Sequence, residues 1–544
     1  MDLYYFLLAL SPVILVTFTI IVLRMPATRA MPISLICVAG IAMVAWQVPG
    51  LQVAAAALEG FIIAISLIWI LYGAVLLLNM LISSGAMESI RAWFTQITPD
   101  QRIQAIIIAW LLGSFLEGAA GFGSPVAICA PLLVALGFPP MAAVVMALLS
   151  NSIAVAFGTA GSTILVGVLQ GIQLGNGNAV NVHPLLQPAA LPGLMDAVSV
   201  QAALINLLPG TVIPLISVLI LTRFWGKNKS WAQGLQVWKY ALLSGFSFVV
   251  FSALVAIFLG PEFPTILGSL LALILMVSLA RRGILIPKQA WTFSGEPAEI
   301  SETNLLHEVT FTRAISPYIL AISLLVLSRL DFLPLKTWLN SVQIGMANIF
   351  DTQISTFFSP IYSAGAIFTL ATVLSLFIVQ TPPKRIWLAV KNTNRALLPS
   401  MIALGAAIPM VRIFIHSSVN GIGLPSMPFV LAENISSVLG PVWAAAAPFL
   451  GALGVFIAGS STVSNLMFSL LQFDIAVEYN INPATILALQ TVGASLGKMI
   501  CVVNIVAAAS VVGLHGKEGK IIRYTALPAL IVLTLAAMAG VLLQ

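Results

Sequence analysis

Gly113-Ser-Phe-Leu-Glu117-Gly118-Ala-Ala-Gly121-Phe-Gly123-Ser124-Pro125 is the stretch that decides the fold. It lies inside the long apolar run 103–138, yet four glycines and a proline interrupt it, and it carries one carboxylate. Glycine and proline are poor helix formers, so an unbroken helix is disfavoured here. Non-helical backbone at membrane depth is tolerated where it is buried in protein or lines a cavity. The reading is therefore a hairpin that enters the membrane and returns.

That reading needs a bilayer, and the composition supplies one. Of 544 residues, 60% are hydrophobic and 7% charged, with a mean hydropathy of +1.08. Soluble domains carry about 25% charged residues, so this chain cannot cover its surface in water. Apolar runs of roughly 20 residues match a bilayer crossed by helices; transmembrane β-barrels use short alternating strands instead. The net charge of +6 comes from basic residues in short loops, as the positive-inside bias predicts, and implies no nucleic-acid partner. Cys37, Cys129 and Cys501 have no metal-ligand spacing and read as buried small hydrophobes. The first apolar run, 4–23, is long for a signal peptide and has no cleavage site after it, so it reads as a retained helix.

Clusters of Lys and Arg near residues 24–29, 91–102, 223–239, 281–313, 384–395 and 517–523 are taken as cytoplasmic. Both termini then fall outside an inner membrane. The expected architecture is an all-α polytopic membrane protein with full spans at 4–23, 31–48, 55–81, 140–158, 199–222, 240–259, 265–280, 314–329, 359–380, 396–416, 484–514 and 523–543. Two segments begin and end on one side: 103–138, and 441–473 with its own break Gly459-Ser460-Ser461-Thr462-Val-Ser464-Asn465. They are expected to be re-entrant hairpins from opposite faces. Gly113-Ser-Phe-Leu-Glu117-Gly118 aligns with Gly454-Val-Phe-Ile-Ala458-Gly459 at an offset of 341 residues, which also places 150–161 on 491–502. Residues 1–280 and 314–544 thus read as inverted repeat halves, joined by a cytoplasmic connector at 281–313. Such repeats, with a site near the midplane where broken helices meet, recur in secondary transporters. The plainer alternative is that glycine-rich helices simply pack closely.

Ionisable groups inside a membrane are costly and mark function by default. Glu117, beside the first hairpin tip, is a candidate proton carrier, since a low-dielectric site raises a carboxyl pKa; equally, it can satisfy orphaned amides of a broken helix. Lys498 has no acid near it in sequence. It reads as the counter-charge for an anionic substrate or as a partner of Glu117. Arg412 and His416 share a helix face, but near the outer end of their span Arg412 is expected to snorkel, and Glu59 to be interfacial. The polar tip Ser460, Ser461, Thr462, Ser464 and Asn465 suits a carboxylate held at a half-helix N-terminus, with Gly121, Gly123 and Ser124 at the first tip. Asn151, Ser152, Thr159 and Ser162, with Ser495 and Asn504, form a second tier. Any one hydroxyl among them more often bonds back to its own helix.

Enzyme signatures are absent. Gly493-Ala-Ser-Leu-Gly497-Lys498 is one residue short of a phosphate loop and continues with Met499 where Ser or Thr is needed. No metal or cofactor is expected, and an ATP-driven pump would need a partner chain. A dicarboxylate carrier favours a second central base and a cation/proton antiporter a second central acid, and the chain offers one of each. A sodium- or proton-coupled carrier of another organic anion is the nearest alternative, a membrane-embedded enzyme or channel the remoter one. The sequence leaves homo-oligomerisation open.

The run Gly113–Ile128, the run Gly454–Asn465, Gly497-Lys-Met-Ile500 and Gly516-Lys-Glu-Gly519 resemble the lactate permease family over nearly the whole chain. The resemblance implies a proton symporter of L-lactate or a related 2-hydroxy-monocarboxylate such as glycolate or D-lactate. It also implies membership of a wider group of transporters with inverted repeats and hairpins. Two departures stand at the implied substrate site. The family often has an acidic or amide residue in place of Ser461, and Ser-Pro-Gln-Ser after the Gly-Lys-Met-Ile element, where this chain has Cys501-Val-Val-Asn504.

Overall fold

The computed structural model describes residues 3–544 apart from 24, 87–88, 90–96, 120, 122–123, 170, 173–183, 188, 294–309 and 330–333. One order of elements occurs twice. A pair of helices (Ala27–Val44 and Gly50–Ser84) precedes a helical hairpin, a helix broken near its middle, and a long helix, Leu191–Trp225. The second half repeats this with Ala364–Val379 and Pro383–Ile415, a hairpin, a broken helix and Glu518–Leu542. Local chemistry sets the ends. Pro140, Pro383 and Pro483 open helices where no donor is needed. Asp100, Ser363 and Asn482 accept amide hydrogens as N-caps, and Gly85 and Gly459 close helices in the left-handed region.

The helix pairs of the two halves pack on one another. Gly50–Ser84 and Pro383–Ile415 lie antiparallel, with Gly60 against Pro409 at one end and Asn79 Nδ2 donating to Thr393 Oγ1 (3.0 Å) nearer the other. The hairpins, broken helices and the helices Leu191–Trp225, Trp238–Leu259, Pro264–Arg281 and Glu518–Leu542 pack together as a second group. Backbones come very close there: a β-carbon on Gly493 would stand 2.0 Å from Pro448 O. In lipid, where apolar surface gains nothing by leaving the solvent, such small-residue contacts drive helix association.

Among the described residues, eight helices are individually long and apolar enough to cross a membrane, counting Pro483–Val511 across its break, so the protein is a multi-pass membrane protein. Two of the twelve expected spans are not single unbroken helices. The expected span 140–158 unwinds after Ser150 through Asn151–Ile153, and 484–514 breaks between Gly497 and Val502. The spans expected at 55–81 and 396–416 belong to helices of 35 and 33 residues. The all-α expectation also missed a small antiparallel sheet, Ile344–Met346 with Thr356–Phe358, in which Met346 pairs with Thr356. Cys37 is exposed on the apolar surface rather than buried, whereas Cys129 and Cys501 are buried.

Candidate functional site

Two helical hairpins frame the site. In the first, the arm from Gln101 through Ala119 packs on Ser124–Ala135. Gln101 Nε2 donates to Leu136 O (3.1 Å), and the Cys129 thiol to Ile108 O (3.3 Å), so the arms run antiparallel. At its tip Gly121 has φ +59° and its amide donates to Glu117 O (3.0 Å). In the second hairpin, Trp443–Ala458 and Ser461–Glu478 are also antiparallel, since Trp443 Nε1 donates to Gln472 Oε1 (2.6 Å) and Ser464 Oγ to Gly451 O (2.9 Å). Its tip is Gly459, at φ +74°, followed by Ser460.

Glu117 is 2% exposed, and its two oxygens face different halves of the chain. Asn151, in the unwound part of the first broken helix, donates Nδ2 to Oε2 at 3.1 Å. Lys498, in the break of the second, brings Nζ to 4.0 Å from Oε1. A buried carboxylate is tolerable only with such partners. Lys498 is itself 8% exposed, so base and acid are both withdrawn from bulk water. At 4.0 Å the pair is an ion pair without a hydrogen bond, which leaves the ammonium free to take a better acceptor. The carbonyl oxygen of Asn151 and the hydroxyl of Ser114 are buried without a protein partner.

The second tip touches both sides of the second break: Ser461 Oγ donates to Ala494 O (3.2 Å), and Gly459 lies against Val503. Most of its polar groups, however, are engaged within the hairpin or with the broken helices beside it. Ser460 Oγ caps Val463 N (3.5 Å). Asn465 donates to Thr163 O (2.9 Å) and Thr491 Oγ1 (3.2 Å). Gln490 Nε2 donates to Ser464 Oγ (3.1 Å) and its Oε1 accepts from Gln472 (2.8 Å). Of the five tip residues, Ser461, Ser464 and Asn465 are buried and engaged, while Ser460 and Thr462 are half-exposed. Of the second tier, Ser152 and Ser495 bond back to Leu149 O and Thr491 O, and Ser162 to Gly158 O, as isolated hydroxyls tend to. Asn504 is half-buried. Gly123 and the side chains of Ser124 and Thr159 lie outside the described residues.

Two further ionic clusters were not anticipated. Glu59 is 4% exposed and does not stand alone. Arg412 Nη2 donates to Glu59 Oε1, and His416 Nε2 lies 2.7 Å from Oε2. Glu59 and Arg412 are more than 350 residues apart, so the paired spacing that identified Arg412 and His416 could not reveal the acid. At the base of the first hairpin, Asp100 and Arg102 form a fully buried pair at 2.5 Å. Trp291 of the connector docks there, its amide donating to Asp100 Oδ2 (3.3 Å) and its ring 5.9 Å from the guanidinium. The acidic stretch with Glu296, Glu299, Glu302 and Glu308 lies outside the described residues.

Comparison with known proteins agrees with this architecture. The family model for L-lactate permease matches residues 5–544. A putative L-lactate permease of Haemophilus influenzae is 28% identical, covering 99% of this chain and 98% of its own length. An L-lactate permease of Bacillus subtilis is 29% identical over 98% of this chain and 94% of its own. A glycolate permease of Escherichia coli is 28% identical, over 95% and 92%. The chain belongs to the L-lactate permease family, a family of transporters and not of enzymes.

Proposed function

We propose that this permease imports L-lactate or a related 2-hydroxy-monocarboxylate, glycolate and D-lactate included, across the bacterial inner membrane by proton symport. The observation that carries the reading is the position of Glu117 between Asn151 and Lys498. With no substrate, one carboxylate and one ammonium make the pocket neutral. An incoming carboxylate takes over Lys498, and a proton on Glu117 replaces the counter-charge that it loses. Loaded with one anion and one proton, the pocket is neutral again. Neutrality in both states is what passage through a low-dielectric region demands.

In this reading Ser460, Thr462 and the first-turn amides of Ser461–Glu478 meet the carboxylate at the positive end of the half-helix. Gly121 stands at the opposite tip, and the neighbouring Gly123 and Ser124 are assigned to the same pocket from the sequence alone. The two hairpins dip from opposite faces, the halves are inverted repeats, and both termini are external. The names of the relatives, L-lactate and glycolate permease, support the substrate class.

Uptake of labelled lactate and glycolate into sealed vesicles tests the proposal. Accumulation should follow an inward proton gradient and collapse with a protonophore. Accumulation that follows a sodium gradient at equal pH would replace the proton with sodium and leave Glu117 without its assigned role.

A further inference from the structure

We propose that Glu59, Arg412 and His416 form a second proton-binding site, separate from Glu117 and housed between the helices Gly50–Ser84 and Pro383–Ile415. The hydrogen bonds of the three side chains run to one another, and their demands conflict at one atom. His416 Nε2 lies 2.7 Å from Glu59 Oε2 and 3.1 Å from Arg412 Nη2. The carboxylate requires a hydrogen on Nε2, whereas the guanidinium, a donor only, requires a lone pair there. One nitrogen cannot offer both. A protonated ring pairs with Glu59 and is repelled by Arg412; an unprotonated ring can turn its lone pair to Arg412. The proton therefore selects between two arrangements.

The surroundings suit that role. Glu59 is 4% exposed, so its charge is held in place, while the side chains of Arg412 and His416 are less enclosed, at 17% and 27% exposure. Arg412 Nε is buried with no partner, so the pair is not a closed, fully satisfied bridge. Elements packed against this helix add few ionisable groups: Arg29 and Cys37 in Ala27–Val44, Tyr72 beyond Glu59 in Gly50–Ser84, and Glu433 in Met427–Leu439. Ser11–Thr17, Trp443–Ala458 and Val502–Val511 contribute no charge. The same helix also reaches the transport site. Its Ala407, Met410 and Val411 line, with Phe456 of the second hairpin and Val503 beyond the second break, a narrow apolar cleft of about 20 Å³.

The full chain has four histidines, so ¹⁵N-histidine labelling in nanodiscs gives at most four ring titrations, and His416→Gln assigns the one in question. Glu59→Gln and Arg412→Gln should move its midpoint in opposite directions, each by about one pH unit, tenfold in proton affinity. Arg412→Lys should restore the original value, and it serves with Glu59→Gln if Arg412→Gln does not fold. Glu117→Gln should leave the ring's titration unchanged, which separates this site from the coupling carboxylate. A ring that does not titrate between about pH 5 and 9, or that keeps one midpoint in all variants, overturns the proposal.

Discussion

A β-carbon on Gly158 would stand 2.8 Å from Glu117 Oε1. The carboxylate occupies space that any other residue at 158 would claim, so the first broken helix and the first hairpin tip share one volume. Gly158 itself has φ −65° and ψ 153°, angles open to alanine, so its substitution strains nothing but this contact. Gly158→Ala should therefore slow proton-driven uptake by about a hundredfold, the cost of an ångström-scale misplacement at a reacting group, with folded yield near that of the parent. Initial rates and thermal unfolding measured on one preparation check it; an unchanged rate would mean that the position of Glu117 is unimportant.

Glu117→Gln keeps the side chain's shape and its acceptor for Asn151 but cannot exchange a proton. Accumulation driven by a pH gradient should disappear, while exchange of labelled for unlabelled substrate persists. Retained accumulation would remove Glu117 from coupling.

Removing one member of a buried ion pair leaves the other uncompensated, at a cost of about 3 kcal/mol. Lys498→Ala should thus lower thermal stability as well as apparent affinity for the anion. The double variant Glu117→Gln/Lys498→Met should recover most of the stability and none of the transport. Equal instability of single and double variants, read by unfolding in detergent, would argue against a true pair.

The chain Trp443–Gln472–Gln490–Ser464 ties the second hairpin to its neighbouring helix. Gln490→Leu strips a hydrogen-bond partner from the buried Gln472, Ser464 and Asn465, costing about 1–3 kcal/mol. Stability should fall while the half-saturating lactate concentration stays within about twofold, the pattern of support rather than binding.

Orientation is open to direct labelling. Asn228, in a basic turn, and Ser341, before the small sheet, are both exposed. Single cysteines placed there, in a background lacking Cys37, should react with an impermeant maleimide from opposite sides, Ser341→Cys from outside. Reaction from the same side contradicts the proposed topology.

Much of this protein was legible in the residues alone. Composition demanded lipid, and glycines and serines at 118–124 and 459–465 marked both hairpins, because a helix end in lipid needs residues that can unwind and still satisfy the backbone. A buried charge announces that it must be paired, so Glu117 and Lys498 stood out where hydropathy was otherwise unbroken. What sequence could not name was the partner. The pairings Glu117 with Lys498, Glu59 with Arg412, and Asn465 with Thr163 join residues more than 300 positions apart, and charge or hydrogen-bonding capacity carries no record of such distance. Nor could it tell a free hydroxyl from an engaged one: Ser464 and Thr462 look alike in the tip motif, and only packing against Gly451 and Gln490 commits the first to the hairpin's own seam. Local unwinding and the need for lipid follow from side-chain chemistry near each residue, whereas the choice of partners follows from which helices the whole chain brings into contact.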